Sequence, residues 1–237
     1  MGDYLKNGGN MQKNYFYLRF KNHSFFKSGL VLLLFLLPSL IFSQEAINKL
    51  IQGNERFVSD KTTQKDFGKE RLDLVAGQKP YAIILTCSDS RVPPELIFDE
   101  SLGQLFVIRD AGNVVDPDIL GSIEYAVEHL HSQLLVVMGH EKCGAVKATI
   151  EGGKLPPNIG AIAYKIRPAV KKAKLTNRDE EDILFEATKE NVRNQIEASL
   201  KNSSIIKEAF EKGDLKIYEG FYNLHTGKVD LKEYKEK

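Results

Sequence analysis

Two short polar segments carry side chains that could do chemistry together: Cys87-Ser88-Asp89-Ser90-Arg91 and Gly139-His140-Glu141-Lys142-Cys143-Gly144. Thiolate and imidazole are the ligands zinc prefers, and a Cys2His set leaves a fourth position for water or a carboxylate. His140 and Cys143 are three residues apart, so in a helical first turn they share a face. Asp89 is the nearest carboxylate. The same two cysteines, the only ones in the chain, could instead form a disulfide, which an even count in an exported protein would suit. The polar surroundings of each cysteine favour a metal, because a simple staple does not require them. Spacing alone leaves both readings open, and Asp89 with Arg91 alone would read as a surface ion pair.

Each polar segment follows directly on an apolar run that must position it. Tyr81–Thr86 leads into Cys87 and Leu134–Met138 leads into His140, while Leu105–Ile108 is a third run of the same kind. Such short continuous runs read as buried strands. Helical patterns over Asp118–His129 and Cys143–Ile150 alternate with them, the second closed by Gly152-Gly153. This predicts an α/β fold with a mostly parallel central sheet and right-handed crossovers. In such a sheet ligands bind at the carboxyl ends of the strands. Cys87 and His140, 53 residues apart, are therefore expected on one edge. Ahead of the sheet, Glu45–Val58 is an amphipathic helical arm expected to pack on a neighbour, and residues 59–71 read as a loop. After it come a helix over Asn158–Lys174 with a bend at Pro168, another over Glu180–Leu200, and a third running from a Ser203 or Ser204 cap to Gly213. A hairpin of Leu215–Tyr222 and Lys228–Leu231 closes the fold at an edge.

The 237 residues hold 33 basic and 32 acidic side chains, 42% hydrophobic residues and no tryptophan. That balance gives no reason to expect a nucleic-acid partner and excludes a disordered or collagenous chain. The bias lies at the front. Residues 1–28 are basic, Gly29–Phe42 is uncharged and apolar, and Ser43-Gln44-Glu45 follows. This order describes a secretory signal peptide over 1–43, with Met11 as an alternative start. An uncleaved membrane anchor is the competing reading, but a span needs about 20 apolar residues, and this run is shorter and contains Pro38. An exported protein, periplasmic or secreted and without a stable membrane span after cleavage, is expected. Residues 44–237 then form one domain with 28 basic and 31 acidic groups.

Over CSDSRVPPELIFD, FVIRDAGNVV, GSIEYAVEHL and VVMGHEKCGAVKA the chain closely resembles the β-class carbonic anhydrases, with looser similarity from about Glu45 to Tyr222. The resemblance implies reversible hydration of carbon dioxide to bicarbonate, with one Zn2+ per chain on Cys87, His140 and Cys143. It makes Asp89 and Arg91 a hydrogen-bonded pair beside the metal, Asp89 accepting from a zinc-bound hydroxide or, in a closed state, becoming the fourth ligand. It matches Gln78, Phe106, Ala111 and Tyr125 to a substrate pocket at a dimer interface, and so implies a homodimer or a dimer of dimers. Core packing is the competing reading for Phe106 and Tyr125. A subgroup of the family carries a tryptophan three residues before the first ligand cysteine, within an inhibitory bicarbonate site. Ile84 stands there instead, so an open, water-bearing zinc is expected. His129 and His131 are conceivable proton shuttles. Carbonyl sulfide or carbon disulfide would suit the same site, and a non-catalytic module with a Cys87–Cys143 disulfide is the reading from another class.

Overall fold

The computed structural model describes residues 44–176 and 179–236; the leader expected over 1–43 lies outside them. Helix α1 covers residues 44–58. It is followed by α2 (Phe67–Asp73), β1 (Ala82–Thr86), α3 (Pro94–Ile97), β2 (Leu105–Arg109), a 3-10 turn (Ala111–Asn113), α4 (Pro117–Glu128) and β3 (Leu134–His140). Then come α5 (Gly144–Glu151), α6 (Pro157–Thr176), α7 (Glu180–Asn202), α8 (Ser204–Lys212), β4 (Lys216–Tyr222) and β5 (Val229–Glu233).

The strands form one sheet in the order β2-β1-β3-β4-β5. β1 pairs in parallel with β2 and β3, β3 in parallel with β4, and only β5 is antiparallel. β1 and β3 are buried along their whole length, which is why they read as unbroken apolar runs. β2 lies at an edge and is mostly half-buried. The closing hairpin is more than an edge cap, since β4 continues the parallel sheet across seven pairs from Leu134↔Lys216 to His140↔Tyr222.

Alternation along the strands sends side chains into two layers. On one face Ala82, Ile84, Leu134, Val136 and Met138 pack with Leu50 of α1, Phe98, and Ile166 and Val170 of α6. On the other, Ile83, Leu85, Leu135 and Val137 pack with Ile123 of α4, Ile196 of α7 and Ile206 of α8. Helix starts follow local chemistry. Asp116 caps α4 by accepting from Asp118 N and Ile119 N, with Pro117 at the first helical position, where its missing N–H costs nothing. Ser203 caps α8, and Gly213 ends it in the left-handed region.

One expectation changes. Residues 59–71 are not all loop, because Asp66 accepts from Lys69 N and starts α2. No residue of that helix is buried, so it leaves no apolar periodicity to detect. Helix α6 continues through Pro168; residues packed on both sides of the proline, Ile166, Ala169 and Val170, hold it in place. Part of the apolar face of α1 is used within its own chain, while Ile51 and Val58 stay exposed. Ala46, Ile47 and Leu50 are buried in the core, and Gly53 passes so close to Phe98 that a Cβ there would meet its carbonyl oxygen at 1.8 Å.

α1 is also locked by charge. Asp99 sits at φ 48°, and its buried carboxylate accepts from Arg56 Nε at 2.5 Å, Thr63 N at 3.1 Å and Lys65 Nζ. Burial alone would raise its pKa, but the bonds from Lys65, Arg56 and Thr63 outweigh that and hold it at about 2. A carboxyl whose pKa falls on folding stabilises above its unfolded pKa, and that stabilisation disappears as pH drops through the folded value. The window is therefore about pH 4 to 2, and at ~1.4 kcal/mol per pKa unit the contribution is roughly 2 kcal/mol. Asp99→Asn keeps the shape and tolerates the same backbone. It is expected to lower the neutral-pH unfolding free energy by about that amount and to flatten the acid limb of stability between pH 4 and 2. Urea unfolding across pH checks this, and an unchanged limb would contradict it.

Candidate metal centre

Thr86 pairs with Met138 at the carboxyl ends of β1 and β3, so Cys87 emerges beside Gly139 and His140. β3 passes close under α7 here: a Cβ at Gly139 would lie 2.9 Å from Thr188 Cγ2 and Val192 Cγ2. Lys142 turns the chain at φ 56°, and Cys143 occupies the N-cap of α5. The outcome is that one ligand atom from each of Cys87, His140 and Cys143 lies within 4.8 Å of the others, all three residues buried. Both cysteines are free thiols, so the disulfide reading is not the one the structure adopts.

The donor set fits a metal on two observations. His140 Nδ1 lies 2.9 Å from the Glu141 carbonyl oxygen; a carbonyl only accepts, so Nδ1 carries the hydrogen and Nε2 the lone pair. That Nε2 is buried and has no hydrogen-bond partner, which is costly unless something coordinates it. The sulfurs show the same incompleteness. Contact with Cys143 and the Gly112 N–H, 3.3 Å from Cys87 Sγ, pull the Cys87 thiol down against the effect of burial. Contact with Cys87 and burial push Cys143 the other way. Two thiols and one imidazole at this separation suit zinc better than calcium or magnesium, which take oxygen ligands.

Asp89 stands beside this cluster, its Oδ2 3.9 Å from His140 Nε2. Both carboxylate oxygens are engaged by Arg91, through Nε to Oδ1 at 2.9 Å and a terminal nitrogen to Oδ2 at 2.7 Å, and the Arg91 N–H adds a third bond. The Arg91 side chain holds the carboxyl far below the usual carboxylate range. Arg91 itself is half exposed while Asp89 is 18% exposed, so the fork enters from solvent and presents the carboxylate inward.

Two contributors were missed in the sequence. Arg109, at the end of β2, donates to the main-chain carbonyls of Cys87 at 3.0 Å and Asp89 at 2.5 Å. It ties the loop between them to the neighbouring strand. Gly112, at φ 71°, is wedged where a Cβ would meet Ile166 Cδ1 at 2.7 Å, and its carbonyl accepts from buried Asn191. A charge ending the apolar strand LFVI was the available signal for Arg109. Nothing local points to Gly112.

The expected pocket residues stand on separate elements. Ala111 opens the 3-10 turn beside Gly112. Phe106 pairs with Ile83, early in β1, and its ring lies 6.3 Å from that of Tyr125, which is exposed on α4. Gln78 is exposed ahead of the amino end of β1. His129 and His131 precede β3, whose seven residues at about 3.3 Å each place them roughly 20 Å of strand from His140. They are too far to exchange protons directly with the cluster of their own chain.

A mostly parallel α/β sheet that offers two thiols and an imidazole at its carboxyl edge defines a Cys2His metalloprotein. Residues 82–229 match the family model described as carbonic anhydrase. Carbonic anhydrase 2 of Mycobacterium tuberculosis is 40% identical over 190 residues, covering 78% of this chain and 90% of its own. Among solved structures, a Coccomyxa β-carbonic anhydrase in complex with acetazolamide aligns with TM-score 0.64 at 30% identity, over 70% of this chain and 79% of that one. One of two tetrameric β-carbonic anhydrases from Sordaria macrospora aligns with TM-score 0.64 at 25% identity, over 70% and 87%. The chain belongs to the carbonic anhydrase family, in its β class.

Proposed function

We propose that this protein catalyses the reversible hydration of carbon dioxide to bicarbonate and a proton, with one zinc ion held by Cys87, His140 and Cys143. The convergence of those three ligand atoms within 4.8 Å beside an arginine-gripped carboxylate carries the reading. When bound, zinc supplies a Lewis acid that lowers the pKa of a coordinated water from about 15.7 to near 7. The chain supplies orientation. Asp89, ionised and with both oxygens already held by Arg91, would accept a hydrogen bond from the attacking water. As an acceptor-only group it leaves that water's lone pair turned toward the substrate. Arg109 fixes the Cys87–Asp89 main chain, so ligand and acceptor keep one spacing.

Carbon dioxide is apolar and linear, and it needs a small apolar pocket more than hydrogen bonds. Gln78, Phe106 and Tyr125 would reach such a pocket from a second copy of the chain. The half-buried β2 edge, with exposed Leu102 and Tyr125 nearby, supports a homodimer or dimer of dimers. The basic start, the apolar run over 29–42 and the small residue after it support export through a cleaved leader. No helix among the described residues is long and apolar enough to cross a membrane. Stopped-flow hydration by the zinc-loaded protein tests the main reading, with carbonyl sulfide and carbon disulfide assayed alongside. A chain that binds one zinc and leaves carbon dioxide hydration at the buffer rate would refute it.

A further inference from the structure

The ligand His140 is followed by a residue whose every polar group is engaged. The Glu141 N–H donates to the Tyr222 carbonyl at 2.9 Å, extending the β3–β4 ladder by one bond. Its carbonyl accepts from His140 Nδ1. Its carboxylate accepts from Leu224 N at 2.9 Å and from His225 Nδ1 at 2.8 Å to one oxygen and 2.9 Å to the other, with His225 N at 3.4 Å. These donors all belong to the turn between β4 and β5.

That turn is a stiff support. Asn223 N donates to the Lys228 carbonyl and Gly227 N to the Asn223 carbonyl, while Asn223 Oδ1 accepts from Thr226 N. Asn54 of α1 pins it from behind, through Nδ2 to the Gly227 carbonyl and Oδ1 from Val229 N. The segment it braces needs bracing. Lys142 is held in the left-handed region at φ 56°, a conformation that a side-chain-bearing residue leaves unless its surroundings impose it. If residues 141 and 142 relaxed, the carbonyl that orients His140 would move with them.

We propose that Glu141 and His225 are positioning residues for the metal: the clamp between them holds the Glu141 carbonyl against His140 Nδ1 and so aims Nε2 between the two sulfurs. The inference rests on the zinc reading above and adds a device remote from the metal, since 65% of the His225 side chain is exposed. The contact requires only a proton on Nδ1. An exposed ion pair of no consequence is the alternative.

The test uses the full zinc-loaded chain and its release of zinc to an excess of a chromogenic chelator. Outer partners of a ligating histidine typically change metal affinity by about 10-fold or more. His225→Ala is expected to accelerate zinc release roughly tenfold while leaving the melting temperature of the metal-free protein nearly unchanged. His225→Asn, whose side-chain amide can donate in place of Nδ1, is expected to restore slow release. Glu141→Ala should release zinc at least as fast as His225→Ala. Equal release from wild type and His225→Ala overturns the clamp. So does a faster release that accompanies an equal loss of metal-free stability and is not recovered by asparagine. Release is read without carbon dioxide. A wild-type protein that holds zinc but does not hydrate carbon dioxide would therefore refute the activity alone, and one that takes up no zinc would refute both.

Discussion

Cys143→Ser is expected to remove both the metal and the activity. Cys143 is one of only two thiols in the chain, it is buried, and it stands at the N-cap of α5. Serine would fit the space and keep the helix start, since it is a good N-cap. It would not replace the ligand: its hydroxyl does not ionise near neutral pH, and zinc favours the softer thiolate. Two donors would remain, Cys87 and His140. Cys87 would also lose the neighbouring thiol whose hydrogen bond is the chief cause of its lowered pKa. Zinc content should fall from one per chain to near zero at micromolar free metal. Hydration should fall by at least ~10³-fold, because the nucleophile at neutral pH depends on the ion. Elemental analysis and stopped-flow measurement together decide it. Equal rates in variant and wild type would reject the site. Because each thiol must surrender its proton to the metal, and Cys143 holds its own tightly, zinc capture by the wild type should strengthen as pH rises.

Asp89→Asn is expected to leave zinc in place and still remove most of the rate. The substitution keeps size and shape. It replaces one accepting oxygen with a donating amide, so the Arg91 fork, now satisfied at 2.9 and 2.7 Å, would face one acceptor and one donor. The acceptor turned toward the metal cluster is lost or rotated away. Preorganised polar groups at a reacting centre are worth about 10²–10³ in rate when removed, and a drop of that size in kcat is expected at unit zinc content. The pH profile adds a second check. Arg91 holds the Asp89 carboxyl far below its ordinary range, so it stays ionised throughout the working pH and does not set the acid limb of activity. The variant should therefore show a lowered plateau with an unmoved midpoint. A midpoint displaced along with the plateau would mean that Asp89 itself titrates during turnover.

Much of the chemistry was legible because it is local or periodic. Asp89 and Arg91 are two residues apart, and His140 and Cys143 three, so their proximity is dictated by the chain itself. The runs before Cys87 and His140 are apolar throughout because β1 and β3 are covered on both faces, and that alone places both at strand ends. Helix α2 was not legible because it buries nothing, leaving only the Asp66 cap as its signal.

What the sequence by itself determined is the nearness of Asp89 to Arg91 and of His140 to Cys143, and the sheet edge expected to present them, since each depends on short spacing or on a strand's periodicity; that the two cysteines serve one metal was implied by the family resemblance. Tertiary structure alone decided which strands are neighbours and what their loops then touch. The order β2-β1-β3-β4-β5 brings Arg109 and Gly112 to Cys87 from one side, and Leu224 and His225 to Glu141 from the other. Such contacts join segments 22 to 83 residues apart, and no local pattern encodes them, because a hydrogen bond between distant loops depends on the packing of every element between.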